Sequence, residues 1–198
     1  MKTVGRRGLL VLMAMLLATS ACGGPSETDM EGAWNKAEQN AQKYASKYPS
    51  FKGAIDELVA SSKTSFDEAK KADEKVRGEK MKVAVDKVTG SLAPFEAYEK
   101  ALEGLQVLMK DKELNDLPAS KFNPANEAAK EAIKKGEETL KSSPANMGEA
   151  KGKIEAAVKG LEEAAKGLDS LKAKPASGGT TSSPTSAPTS APTSAPKK

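Results

Sequence analysis

The side chains that perform most protein chemistry are scarce in this chain, which has no histidine and a single cysteine, Cys22. Histidine and cysteine are the usual ligands of zinc, copper, haem iron and iron–sulfur clusters. Histidine is also the general base of most catalytic triads, and a cysteine thiolate is a common nucleophile. The composition therefore excludes the usual metal centres and histidine-based triads, and we predict no resident cofactor.

Carboxylates remain as chemically capable residues, and several lie side by side. Paired acids can bind calcium or share a proton. Here lysines accompany each pair at helical spacing, which is typical of a solvent-exposed face of ion pairs, so we predict that the chain is not an enzyme. We assign four of these acids, Asp67, Glu68, Asp73 and Glu74, to the second predicted helix. The acids concerned are Asp67, Glu68, Asp73, Glu74, Glu137, Glu138, Glu162 and Glu163.

Small residues recur at every fourth position late in the chain, at Gly148, Gly152, Ala156, Gly160 and Ala164. Small side chains let another helix approach closely, although each glycine in a helix interior costs up to about 1 kcal/mol. An internal close-packed seam is the simpler interpretation of this ridge. A docking groove for a partner helix is the functional one.

The segments that position these residues have the spacing of helices. Apolar side chains recur every three or four residues over 30–48, where Pro49 ends the pattern, and again over 51–76 and 81–109. Nothing in the chain predicts a strand. Trp34 lies on the first stripe, so we interpret it as a core residue and not as a platform for a ligand.

Prolines mark the remaining predicted boundaries. Pro94 leaves two alternatives, a turn over residues 90–93 or one kinked helix, and we favour the turn. Asn123 before Pro124, and Ser143 before Pro144, each combine a capping side chain with proline at a first helical position, which predicts two helix starts.

The helical segments together predict an all-α fold, an antiparallel bundle of four or five amphipathic helices over residues 29–174. A loop is predicted over residues 115–121, where Pro118 interrupts the pattern.

Residues 1–21 have the order of an export signal. Lys2, Arg6 and Arg7 precede an apolar run over 9–17, which is too short to span a bilayer as a helix. The paired arginines and the residues after them loosely resemble the twin-arginine signal, so the export route stays open between that pathway and the general one.

The four residues Thr19, Ser20, Ala21 and Cys22 resemble the lipobox of bacterial lipoproteins, with Thr19 in place of the usual aliphatic residue. The resemblance implies cleavage before Cys22 and a diacylglyceryl thioether on its sulfur, with a short spacer over residues 22–28. The alternative is an ordinary secretory signal and a free thiol. Because Cys22 is the only cysteine, no disulfide within the chain competes with lipid.

The last segment, residues 175–198, repeats Pro-Thr-Ser-Ala and cannot bury enough apolar surface to fold. We predict a disordered, extended tail that could reach on the order of 70 Å. It ends in Lys197 and Lys198. A terminal lysine on a lipid-anchored helical protein resembles the major outer-membrane lipoprotein, whose final lysine is joined to the cell wall, and two cations can also bind anionic wall polymers. The alternative is a stalk whose lysines only keep it soluble.

The net charge of +4 and the pI near 9.0 describe the whole chain. Without the three cations of the signal and the two terminal lysines, the 31 basic side chains fall to 26, against 27 acidic ones. A nearly neutral body predicts no nucleic-acid binding, because that function needs a clustered basic face.

These features predict an extracytoplasmic protein held by lipid to the cell membrane, or to the outer membrane of a cell that has one. We expect a non-enzymatic structural or protein-interaction module, with another envelope protein as partner and a wall contact through the tail. The alternative is a carrier of a lipid or other apolar small molecule, since a bundle containing several of the seven methionines could open a soft cavity.

Overall fold

The computed structural model describes residues 24–172, which form an all-helical bundle, as the apolar stripes predict. Cys22, Lys197 and Lys198 lie outside the described residues, as do the predicted signal and tail. The helices are α1 Glu27–Lys47, α2 Lys52–Lys70, α3 Glu74–Met109, the single turn α4 Lys112–Asn115, α5 Ala119–Lys141 and α6 Met147–Lys172, with a 3₁₀ turn at Pro49–Phe51 between α1 and α2.

The long helix α3 is the element that the others share. Its 36 residues give it a length of about 54 Å. Helices α1, α2 and α6 pack on α3, with the end of α1 reaching Glu99, and α5 packs mainly on α6. Neighbours in sequence run antiparallel, whereas α1 and α6 both run parallel to α3. The bundle is therefore two helical hairpins joined through one long helix.

A capping side chain marks the start of α1, and a proline follows its end. Ser26 accepts a hydrogen bond from the Asp29 backbone N–H at 3.1 Å, so α1 starts at Glu27, inside the predicted spacer. It ends at Lys47, just before Pro49, as the sequence predicts.

The centre of the bundle is aromatic. Phe95 of α3 is fully buried and lies against the rings of Tyr44, Tyr48 and Phe51, at centroid distances of 5.1, 5.4 and 5.4 Å. The bend between α1 and α2 is thereby packed against the middle of α3. All eight aromatic residues are buried: Trp34, Tyr44, Tyr48, Phe51, Phe66, Phe95, Tyr98 and Phe122.

The favoured turn at residues 90–93 is wrong, because α3 continues through Pro94 without interruption. Proline removes one hydrogen bond and crowds the carbonyl four residues earlier. That carbonyl belongs to Gly90, which is exposed, so water can hydrate the group that proline leaves free. The ring of Pro94 is itself buried, and its packing offsets part of the cost.

The prediction that the second stripe reaches residue 76 is also wrong. Helix α2 ends at Lys70, and Asp73 caps α3 by accepting a hydrogen bond from the Lys75 backbone N–H at 3.0 Å. Asp73 and Glu74 therefore belong to the start of α3 and not to the second helix. Val76 is 44% exposed there, so it is not a core position.

Neither predicted proline start begins a helix. Helix α5 begins at Ala119, which shortens the predicted loop and places Asn123 and Pro124 inside the helix. The proline that precedes α5 is Pro118.

The start of α6 lies beyond Ser143 and Pro144. The Asn146 side chain accepts a hydrogen bond from the Glu149 backbone N–H at 3.0 Å, and Glu149 Oε2 accepts one from the Ala145 N–H at 2.8 Å. This reciprocal cap satisfies two backbone donors, which explains why the helix starts at Met147.

Candidate functional site

The N-terminal end of the described chain lies against the beginning of α3. A Cβ atom added at Gly78 would come within 1.9 Å of the Pro25 carbonyl oxygen, so this contact requires glycine. Close by, Arg77 Nη1 and Glu27 Oε2 form an ion pair at 2.8 Å. We call residues 24–31, together with residues 70–77, the N-terminal pole.

The C-terminal end lies at the other end of α3. Lys172, the last described residue, donates a hydrogen bond from Nζ to Asp111 Oδ2 at 2.6 Å. This hydrogen bond holds the pKa of Asp111 below its usual value. We call residues 109–115 with residues 168–172 the C-terminal pole. The chain thus enters the fold at one pole and leaves it at the other, roughly 50 Å away along α3.

The predicted small-residue ridge winds along α6 from an exposed side to a half-buried one. Gly148, Gly152 and Ala156 are exposed, whereas Gly160 and Ala164 are half-buried. A Cβ atom added at Gly152 or Gly160 would meet no atom within 4 Å. These two glycines therefore make no close contact inside the described chain, which counts against the internal-seam interpretation at both positions.

Part of the ridge borders a groove between α5 and α6 with a volume of about 330 Å³. Ala132 and Gly136 line it from α5, and Ala156 and Gly160 line it from α6. On its rim, Lys135 and Glu131 form an exposed ion pair at 2.9 Å. The small residues of both helices thus leave a groove that is open to solvent and has charged side chains at its edge.

Alanine at the two ridge glycines that make no close contact is expected to stabilise the fold. Gly152→Ala and Gly160→Ala should each raise the free energy of unfolding by about 0.5–1 kcal/mol, because alanine restricts the unfolded chain and favours a helix. Urea denaturation of the single and double variants measures this. Gly53→Ala, in the exposed first turn of α2, is the matched control, because a Cβ atom at Gly53 would also meet no atom within 4 Å. A loss of stability at Gly152 would mean that a close contact exists there.

The sequence analysis missed an ion cluster on α3. Glu99 Oε1 accepts hydrogen bonds from Lys47 Nζ at 2.7 Å and from the Tyr48 hydroxyl at 3.3 Å, and Lys43 Nζ lies 3.4 Å from Oε2. More than fifty residues separate Glu99 from these partners, so no local spacing reveals the cluster. It joins the end of α1 to the middle of α3.

The cluster consists of an ionised carboxylate and a neutral phenol. Burial raises the pKa of Glu99. The hydrogen bond and charge of Lys47, together with the charge of Lys43, lower this pKa by more, so the net result is a pKa below the usual value. Burial, followed by the charge of Glu99 and its hydrogen bond, raises the pKa of Tyr48. Both shifts favour the hydrogen-bonded pair, in which the Tyr48 hydroxyl donates to the Glu99 carboxylate.

The Glu99 cluster predicts a pH dependence of stability. Because the pKa of Glu99 is lower in the folded state, its contribution is present above the unfolded pKa of about 4.3 and is lost as the pH falls through the folded value. Glu99→Gln should lower stability at neutral pH by about 0.5–1 kcal/mol, since the lysines are half-exposed. Denaturation at neutral and acid pH should show a smaller acid loss in the variant. Glu103→Gln, exposed on the same helix, should show the parent's pH dependence; equal profiles for all three proteins would refute the prediction.

The adjacent acids lie on exposed, ion-paired faces. Lys63 pairs with Asp67 at 2.9 Å, and Lys159 lies 3.9 Å from Glu163. Between residues 24 and 172, no three histidine, cysteine, aspartate or glutamate side chains gather into a group that could hold a metal ion. Trp34 is buried against Phe66, with ring centroids 4.9 Å apart, which confirms its interpretation as a core residue.

Across the described residues, no helix has both the length and the apolar character needed to cross a membrane. Comparison with known proteins finds no matching family model, and neither a curated protein nor a solved structure gives a match. The function must therefore be inferred from the geometry of this chain.

Proposed function

We propose that this protein is a non-enzymatic, lipid-anchored spacer of the bacterial cell envelope. Lipid on Cys22 holds one pole at the membrane, and the bundle carries the C-terminal tail away from it. The observation that supports this most strongly is the position of the two ends of the described part of the chain, residues 24 and 172. Pro25 lies against the start of α3, and Lys172 is hydrogen-bonded beyond its end.

The dimensions suit a spacer. The long helix α3 contributes about 54 Å, and a tail that is extended, as its composition predicts, adds on the order of 70 Å. A fold whose ends met at one pole would gain no reach from such helices. With the ends at opposite poles, the lengths of bundle and tail add.

The far end is expected to meet the cell wall or another envelope protein. Lys197 and Lys198 are the wall contacts we propose, and the ridge and groove of α6 form the surface we propose for a protein partner. The carrier alternative has less support, because Phe51, Phe95 and Tyr98 fill the centre of the bundle.

Cell fractionation tests both attachments. The parent protein should appear in the membrane fraction, and a portion should be released from purified walls by muramidase. Cys22→Ala should move the protein out of the membrane fraction. Replacing Lys197 and Lys198 by alanine should reduce the wall fraction several-fold, whereas Lys121→Ala with Lys166→Ala, two exposed lysines of the body, should not. Unchanged membrane retention in Cys22→Ala would overturn the anchor, and a wall fraction independent of the terminal lysines would overturn the wall contact.

Deleting residues 175–198 should separate the tail from the fold. We expect unchanged thermal unfolding, because the deleted segment lies outside the described core and has no large aliphatic or aromatic residue to add to it. Differential scanning calorimetry of the parent and shortened chains measures this. A clear drop in the midpoint would show that the tail packs on the bundle, contrary to a spacer with a free end.

A further inference from the structure

We infer that α5 is a lid that opens from the bundle as a unit while α1, α2, α3 and α6 stay packed. Opening uncovers the side of α6 that carries Ala157 and Gly160, together with the Tyr98 hydroxyl of α3. Segments that open at a lower free energy than global unfolding have few buried apolar contacts. The inference goes beyond the proposed function and uses neither Cys22 nor the tail.

The buried face of α5 consists mostly of small residues. Its two large buried side chains, Phe122 and Leu140, lie near its opposite ends. Between them, Ala129 and Gly136 are buried and Ile133 is half-buried. Because the stabilisation from burial grows with apolar area, this face holds α5 weakly. Helix α6, in contrast, buries three large side chains completely, which are Ile154, Leu161 and Leu168.

The charged side chains of α5 do not tie it to the bundle. Within residues 24–172, no ion pair joins α5 to another helix, and its pairs are internal, such as Lys130 with Glu127 at 2.7 Å. The Lys141 carbonyl at its end accepts a hydrogen bond from the Ser50 hydroxyl at 2.9 Å. Helix α1, in contrast, is joined to α3 by the Glu99 cluster. Opening of α5 therefore breaks no charge pair among the described residues.

The beginning of α5 is weakly fixed as well. Pro118 precedes the helix and makes no side-chain hydrogen bond to its first turn. Pro124, inside the helix, has no N–H to donate to the Ser120 carbonyl. Helices α3 and α6 start instead at the capping side chains of Asp73 and Asn146. The missing hydrogen bonds lower the cost of opening α5.

The contact between α5 and α3 favours the open state. The Tyr98 hydroxyl is buried and has no hydrogen-bond partner among the described residues. It lies against Gly136, where a Cβ atom would be 2.9 Å away. A buried, unpaired hydroxyl is costly, and water removes this cost once the group is exposed. The closed bundle therefore carries a penalty that the open one lacks.

Native-state hydrogen exchange of the whole chain, as cells produce it, tests whether α5 opens independently. After correction for intrinsic rates, the amides of α5 should exchange about ten-fold faster than the slowest amides of α2, α3 and α6. Phe66→Leu weakens the packing of α2 on α1, where Phe66 lies against Trp34. It should speed the slowest amides of α2 and α3 several-fold and leave those of α5 unchanged. Equal acceleration of α5 would show that this helix opens only when the whole bundle unfolds, which would overturn the inference.

Two substitutions at the contact between α5 and α3 should change the opening itself. Gly136→Ala crowds the closed state, so the amides of α5 should exchange several-fold faster. Tyr98→Phe removes the unpaired hydroxyl, so they should exchange several-fold more slowly. Gly152→Ala, whose Cβ atom would meet nothing within 4 Å, should leave them unchanged. Rates in α5 that respond to neither contact substitution, in variants that keep the parent's circular dichroism, would contradict the lid.

The exchange of α6 shows how much of the chain opens. If the amides of α6 exchanged as fast as those of α5 and responded equally to Gly136→Ala, the opening unit would be the hairpin of both helices, and the single-helix lid would be overturned. Slow exchange in α6 beside fast exchange in α5 supports the lid. These measurements do not involve Cys22 or the terminal lysines, so failure of the lid leaves the proposed anchor and wall contact standing.

Discussion

Replacing Phe95 by alanine should lower the free energy of unfolding by about 3–5 kcal/mol, which is typical for a fully buried aromatic residue. Phe95 has no exposed surface and contacts Tyr44, Tyr48 and Phe51, so its ring joins α1 and the following 3₁₀ turn to the middle of α3. Truncation leaves a cavity where these elements meet. Urea denaturation, followed by circular dichroism, measures the loss.

Val107→Ala provides the control for Phe95→Ala. Val107 lies on the same helix but is 62% exposed, so its truncation should change stability by no more than about 0.5 kcal/mol. Phe95→Leu should fall between the two, because leucine fills part of the cavity. If Phe95→Ala cost no more than Val107→Ala, the aromatic centre would not be the junction that holds the bundle together.

The second large loss of stability is expected from substitution of Gly136, where α5 approaches α3. A Cβ atom at this position would lie 2.9 Å from the Tyr98 hydroxyl oxygen and 3.0 Å from Cε2 of the same ring. Gly136→Ala should therefore lower the free energy of unfolding by about 1–3 kcal/mol through overpacking, although alanine favours helices. The opposite sign expected for Gly152→Ala makes the two a matched pair.

Tyr98 allows this contact to be dissected. Its hydroxyl is buried and has no hydrogen-bond partner among the described residues, so Tyr98→Phe should raise stability by about 1 kcal/mol. Removing the hydroxyl also removes the shortest contact, so Gly136→Ala should cost less in the Tyr98→Phe background. A double-mutant cycle measures this coupling. Additive effects would show that the ring and the glycine do not press on each other.

The apolar spacing predicted the helical class and the buried faces because a helix repeats every 3.6 residues, so local spacing alone distinguishes the inner face. It placed Trp34 in the core and ended α1 before Pro49, in agreement with the structure. The predicted starts of α3 and α6 failed because the local caps at Asp73 and Asn146 were overlooked, whereas the turn at Pro94 failed because of packing. Pro94 lies inside α3 with its ring buried, and the helices that pack on α3, such as α6, are distant in the sequence.

The candidate site also combines features that the sequence indicated with features that only packing revealed. The sequence by itself determined the helical body, and it predicts an export signal that resembles a lipoprotein's and a disordered tail, because each depends on composition and neighbouring residues. It also drew attention to the ridge glycines of α6. Which glycines make a close contact was decided only by tertiary structure: Gly78 touches Pro25 and Gly136 touches Tyr98, whereas Gly152 touches nothing. The positions of the two poles were likewise decided by packing, because the contacts that define them join residues more than fifty apart, Pro25 with Gly78 and Asp111 with Lys172, which no local spacing encodes.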